Sequence, residues 1–440
     1  MQANRNIRIV FFLCIAIALG MSLWIQAQEL LPVSVHTAAL RQSAPPFSLF
    51  SENSSADLAA SSVYVGSELC LACHSSFTPE AAGWHETKHA YFIRKPMGLY
   101  SLQAGKGVMA NMLGKEKDDF INGLDFNKLS GTVMDSLKHK APILSYHAAT
   151  DTYSIQLGPD GLKMPVVATL GGASIGNGQR YMVRVPVADL AAGLSDAIYF
   201  SPLAWSGTAW TSNASNWYDG NTPKFPVGIT SSALVPLQSQ NYMKTCSGCH
   251  ITGVRKAYVS KSGEYVVNPY VAVLVPDDSP NYPDLDGDGN ADMANIGCES
   301  CHGPGSGHIM RPSDSSRIVN PSKMTNNQQR SVVCLQCHVQ IASSPNKTWG
   351  FTYNETTNQP YVLTNPPQSL DAYQVFTGGK WPDGWNYVYA RIDSYRESGH
   401  YKGAHGIACN NCHFSHGETT NPAQVRSTIT DSRTGLVIPA

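Results

Sequence analysis

Five short motifs dominate what this chain can fold into. They are Cys70-Leu71-Ala72-Cys73-His74, Cys246-Ser247-Gly248-Cys249-His250, Cys298-Glu299-Ser300-Cys301-His302, Cys334-Leu335-Gln336-Cys337-His338 and Cys409-Asn410-Asn411-Cys412-His413. The chain has eleven cysteines, and all but Cys14 fall in these motifs. In each motif two residues separate the thiols and a histidine follows at once. This is the attachment signature of c-type haem. Two thiols add across the two vinyl groups of one porphyrin, and the adjacent imidazole lies under the iron. The ten motif cysteines are thus the expected attachment points of five covalent haems. His74, His250, His302, His338 and His413 are the expected proximal ligands.

Three other uses of paired cysteines explain the pattern less well. A disulfide framework suits an exported chain, but gives no reason for a histidine after every pair. With 14 histidines in 440 residues, five such coincidences have a chance on the order of 10⁻⁸. Tetrahedral zinc sites use cysteine pairs two by two and would leave one pair over. A thioredoxin-like redox pair needs a βαβ setting and normally occurs once.

The haem motifs also set the expected fold class: a multihaem cytochrome c, loop-rich, with short helices around stacked haems. Glycine and proline are plentiful, at 37 and 27, and long helical apolar patterns are scarce after residue 30. Charged residues make up 14% of the chain and the net charge is −1, so no basic face argues for nucleic acid. The motifs are unevenly spaced, the first standing well apart from the other four. The gap alternates like strands at Tyr153–Leu157, Val166–Leu170 and Arg180–Val185, with Gly and Asn between. A small antiparallel β-subdomain is expected there. Trp205, Trp210 and Trp217 are expected in its core; a docking surface or a shield for a haem is the alternative.

The N-terminus carries Arg5 and Arg8, then an uncharged apolar run from Ile9 to Ile25, then Ala27. This is the pattern of an export signal cleaved near Gln28. An uncleaved anchor is the alternative, with a run at the short limit for a span. The expected organisation is a signal peptide at 1–27, a flexible Ser/Ala/Pro-rich leader at 28–62, a first-haem segment at 63–140, a β-rich subdomain at 141–240 and a four-haem domain at 241–440. The expected location is periplasmic or extracellular.

An electron-carrying haem normally takes a second protein ligand, whereas an open position invites substrate. His89 lies just after the first motif. His308 follows the third across a Gly-Pro-Gly turn that lets the backbone fold back past a flat ring. His416 is too near His413 to reach the far face of the same iron, so it should serve a neighbouring haem. His400 precedes the fifth motif. These four are the expected distal ligands, and His85 and His405 stay open for the fifth. His85 and His89 are four apart and would share one helical face. His139 and His147, far in sequence from any motif, are expected to be ordinary surface histidines. His36, in the leader, would act only if the leader docks.

One further pattern is distinct: Asp284-Leu285-Asp286-Gly287-Asp288-Gly289-Asn290-Ala291-Asp292. Alternate carboxylates with glycine at the sixth place let a short loop wrap a hard cation. Asp284, Asp286, Asp288 and Asp292 are the expected calcium ligands. The glutamate usual at the twelfth place is replaced by Asn295, and a solvated acidic turn is the alternative.

These residues resemble a known group. Tyr64-Val65-Gly66-Ser67, the Trp84 to His89 stretch, Gly171-Gly172 with Gln179-Arg180-Tyr181, the third motif running through His308, and Cys409 to Gly417 are similar to multihaem c-type cytochromes related to the tetrahaem partner of hydroxylamine oxidoreductase. That family includes subunits of extracellular cytochrome filaments. The resemblance covers most of residues 63–420, and it implies His89, His308, His400 and His416 as distal ligands. It also implies electron transfer with other redox proteins, or with copies of the chain in a polymer. The alternative is a multihaem oxidoreductase with one open haem, acting on a nitrogen or sulfur oxyanion. No motif ends in lysine, the mark of pentahaem nitrite reductases, so the carrier is the favoured expectation.

Overall fold

The computed structural model describes residues 62–77, 83–96, 116–126, 129, 137–172, 177–206, 209–212, 214–275, 279, 281–324, 326–378, 395–402, 407–417, 425–430 and 436–439. The expected signal segment, nearly all of the expected leader, and His405 lie outside these residues. No helix among them is long and apolar enough to cross a membrane.

The alternating stretches form strands. β1 is Ile93–Arg94, β2 Ile143–His147, β3 Thr152–Gln156, β4 Lys163–Gly172, β5 Asn177–Val183, β6 Tyr199–Trp205 and β7 Trp210–Ser212. They make one antiparallel sheet in the order β2-β3-β4-β5-β6-β7, with β1 also pairing β4. β4 is the pivot: its first half pairs β3 and its second half pairs β1. Met164, Val166 and Ala168 are buried at every second position of β4, as one inward face of a strand requires. Register shifts between Val166 and Ala168, Leu170 and Gly172, and Arg180 and Met182 interrupt the pairing. Such bulges bend a strand and increase its twist, which curls the sheet around its core.

That core is aromatic. Trp205, Trp210 and Trp217 are buried, so they form packing and not a docking surface. Buried indole N–H groups need partners. Trp210 Nε1 donates to Asp119 Oδ2 at 2.9 Å and Trp217 Nε1 to the Phe200 carbonyl at 3.1 Å. The apolar cluster also takes in Ile93 of β1 and Phe120 and runs on through Ile251, Val267, Phe351 and Tyr353 after the sheet. The divisions expected at 140 and 240 are therefore not breaks in the core. Apolar residues from both sides of those positions fill the same interior.

Outside the sheet the chain is short helices, 3₁₀ turns and two-stranded hairpins, among them Val254–Val259 with Tyr265–Pro269. A second, smaller apolar cluster around Met324, Leu335, Ile341 and Leu363 supports the third and fourth motifs.

Candidate functional site

Each motif sits on a short helix or at the end of one. The first lies within Ser67–Phe77, the second spans Ser247–His250, the third Cys298–His302, the fourth begins at the end of Asn327–Leu335, and the fifth is on Cys409–Cys412. Residues three apart are neighbours on a helix surface, so the two thiols of one motif point to the same side. All ten cysteines are part-exposed or exposed as residues.

The motifs are drawn together by contacts that skip long stretches of sequence. Glu299, inside the third motif, is buried. Its carboxylate accepts from Gly66 N at 2.7 Å, Val65 N at 2.9 Å and Gly305 N at 2.7 Å, and Cys298 N donates to Ser67 Oγ at 3.1 Å. These bonds fasten the first motif to the third. The thiols of Cys70 and Cys298, of Cys249 and Cys337, and of Cys334 and Cys409 are close enough for one to perturb the other's ionisation. The contact order of the attachment sites is therefore first, third, fourth, with the second and fifth both beside the fourth; Cys301 stands close enough to Cys334 and Cys337 to act on both electrostatically.

The histidines fall into cross-motif pairs. The ring centres of His74 and His308 are 6.2 Å apart, those of His89 and His338 5.9 Å, and those of His302 and His416 6.0 Å. A metal–imidazole bond is about 2.0–2.1 Å and the ring centre lies about 1 Å beyond its nitrogen, so two imidazoles on opposite sides of one metal have centres about 6 Å apart. All three pairs fit that spacing. In each, one ring belongs to a motif and the other to a distal candidate near a different motif.

The protonation chemistry fits as well. Burial, and secondarily His338, lowers His89 to about 4. Burial, then His338 and His89, lowers His250 to about 4. His302 and His338 are also lowered, chiefly by burial. Neutral imidazole is the form that binds a metal. His302 Nδ1 donates to the Val319 carbonyl at 2.8 Å, which fixes the tautomer and leaves the Nε2 lone pair for iron. His250 and His308 each carry a buried Nδ1 with no hydrogen-bond partner.

The remaining candidates are placed differently. His250 is stacked by Phe92 at 4.5 Å with 14° between ring planes, and His338 and His89 are close enough to act on it electrostatically. His413 is close enough to His338 to disfavour its protonation. His85 turns toward Glu68, at 3.9 Å, and stacks loosely on Trp84. His139 is exposed, and His147, also exposed, bonds Thr150. His400 lies in the short helix Gly399–Lys402; its side chain is outside the described residues.

The acidic loop gathers three of its four aspartates. Asp284, Asp286 and Asp292 bring carboxylate oxygens within 4.8 Å of one another. Asp288 stays exposed and outside this group, its Oδ1 taken by Asn290 N at 2.9 Å. Burial, then Asp286, pushes the Asp292 carboxyl up to about 8. Asn295, at the loop's twelfth place, does not turn back to it. In the left-handed region at φ 75°, it bonds both the N–H and the carbonyl of Ile93.

Two residues important to this arrangement carry no sequence signal of their own. Glu299 occupies a position that the attachment signature leaves free, and Asn295 looks like a failed calcium ligand. No family model, curated protein or solved structure matches the chain.

Proposed function

We propose that this chain is an electron carrier of five covalently attached c-type haems, working outside the cytoplasm and exchanging electrons with other redox proteins or with copies of itself. The observation that carries this proposal is the trio of cross-motif histidine pairs at 5.9–6.2 Å. The motif cysteines would hold the porphyrins. His74 with His308, His338 with His89, and His302 with His416 would hold three irons from both sides. Bound there, haem c supplies one-electron iron chemistry at a potential set by its axial ligands and surroundings. The chain's own part is to keep these imidazoles neutral, to aim them, and to bring the five attachment sites into contact. The resemblance to filament-forming cytochromes extends the proposal to polymers of the chain.

One observation favours a second proposal. Among the described residues the ring stacked on His250 is Phe92, and not one of the distal candidates. An open second-motif haem would suit an oxidoreductase acting on a nitrogen or sulfur oxyanion. Electron paramagnetic resonance of the oxidised holoprotein separates the two. The carrier gives low-spin haem only. A stoichiometric high-spin signal that disappears on adding nitrite or hydroxylamine would instead establish the open haem. Intact-mass measurement finding other than five added haems would overturn both.

A further inference from the structure

The acidic loop plays no part in the function above, yet it is built as more than a solvated turn. Oxygens on opposite sides of a calcium ion, each at about 2.4 Å, lie about 4.8 Å apart. The carboxylate oxygens of Asp284, Asp286 and Asp292 all fall within that limit of one another, so one ion can touch all three.

Asp292 supplies the independent sign. It is 1% exposed. One oxygen, Oδ2, accepts from Leu285 N at 2.6 Å and from Asp286 N at 3.3 Å. The other, Oδ1, is buried with no hydrogen-bond partner. Leaving a carboxylate oxygen dry and unpaired costs more than leaving a neutral group so. Among the described residues no donor reaches that oxygen, and a cation in place of a proton removes the cost.

The local charge points the same way. The groups facing the loop are Arg184, which donates to the Leu285 carbonyl at 2.9 Å and is drawn by Asp284 and Asp286, and Arg255, at 3.8 Å from Asp286 Oδ2. Asn268 donates to the same oxygen at 2.6 Å and adds no charge. Arg184 is also drawn by Glu264 and Asp196, so the two arginines leave the loop's carboxylates with negative charge uncompensated. A cation bound there offsets that charge.

We propose that the loop binds one calcium ion through Asp284, Asp286 and Asp292, and that the ion braces the segment that follows. That segment runs from Asp292 to Cys298. Met293 N bonds the Tyr270 carbonyl, Asn295 N bonds the His250 carbonyl at 2.9 Å, and Ile296 N bonds the His89 carbonyl at 3.0 Å. The backbone leaving the ion thus grips the second-motif histidine and the histidine paired with the fourth motif, then enters the third motif. This consequence for the haem ligands rests on the proposed function; the binding of the ion does not.

The test uses the holoprotein stripped with EGTA and titrated with calcium chloride by isothermal calorimetry, its haem content checked by pyridine haemochrome. The expected result is saturation at one calcium per chain below about 1 mM. Asp292→Asn, and separately Asp284→Asn on the loop's more open side, should weaken binding by about tenfold or more. Calcium should raise the unfolding midpoint of the parent and leave that of a folded Asp292→Asn variant unmoved. If Asp292→Asn does not fold, Asp284→Asn decides. No saturable binding up to about 10 mM, or variants that bind like the parent, would overturn the proposal. Haem content is read separately, so failure of the calcium site is distinguishable from failure of the haem assignment.

Discussion

His302 and His416 stand with their rings 6.0 Å apart and only 9° from parallel, although they belong to the third and fifth motif regions. His302 is already oriented by its bond to the Val319 carbonyl. His416 is therefore the removable half of the pair. His416→Ala should convert one haem from low to high spin, seen by electron paramagnetic resonance, while all five stay attached by mass. His416→Met should keep that iron low-spin and raise its potential, as methionine ligation does. An unchanged spectrum in the alanine variant would remove His416 from the ligand set.

His85 and His89 make a sharper contrast, because sequence spacing alone treats them alike. His89 is buried against His338. His85 leans on Glu68 with a part-exposed side chain. His89→Ala should open one iron and give a new high-spin signal. His85→Ala should leave the spectrum untouched and change stability by less than about 1 kcal/mol, the worth of a surface ion pair. The reverse result would exchange their roles.

The difference between these two histidines shows what sequence made legible. The attachment motifs can be read because their chemistry is local: thiols three apart and a histidine next to them. The strands around Tyr153, Val166 and Tyr181 can be read because burial on one face imposes a period of two. Which distal histidine meets which motif is a long-range matter that local spacing does not encode. Glu299 was hidden for the same reason. Its partners Val65, Gly66 and Gly305 come from two other parts of the chain, and a glutamate between two cysteines looks like filler. β1 was missed because two residues, Ile93 and Arg94, are too few to show a period.

Glu299 predicts its own test. Three backbone N–H groups lose their acceptor in Glu299→Ala, and buried orphaned donors cost about 1–3 kcal/mol each. The variant should lose several kcal/mol of stability, partly relieved by water entering the space. It should also separate the first motif from the third. Glu299→Gln keeps an acceptor oxygen and should lose less. Urea unfolding followed at the Soret band measures both, and equal losses in the two variants would mean that charge, not hydrogen bonding, is what matters at this position.

Glu264 gives a pH prediction that involves no motif residue. Its carboxylate accepts from Tyr199 Oη at 2.7 Å and Asp196 N at 3.0 Å, but burial dominates and raises it above its ordinary 4.5. A raised acid holds its proton longer folded than unfolded. The fold therefore binds the extra proton between 4.5 and the raised value, and stability falls as pH climbs through that window. Glu264→Gln should flatten this part of the stability profile. Urea midpoints taken from pH 4 upward on parent and variant supply the comparison, and parallel curves would show that Glu264 titrates normally.

The second motif offers a packing test that its signature hides. Gly248 occupies a free position between Cys246 and Cys249, where any residue would satisfy the attachment pattern. Yet a methyl group there would run into the ring of Phe351, which is buried in the same core as Trp349 and Tyr353. Phe351 is held on several sides and cannot swing away as a surface side chain would. Forcing one more carbon into a filled core costs about 1–3 kcal/mol. Gly248→Ala should lower the unfolding free energy by that amount while keeping all five haems attached, because neither thiol nor His250 is changed. Gly248→Ala paired with Phe351→Leu should recover part of the loss by making room. A single variant as stable as the parent would mean that the helix at Ser247–His250 packs against the sheet core more loosely than these positions imply.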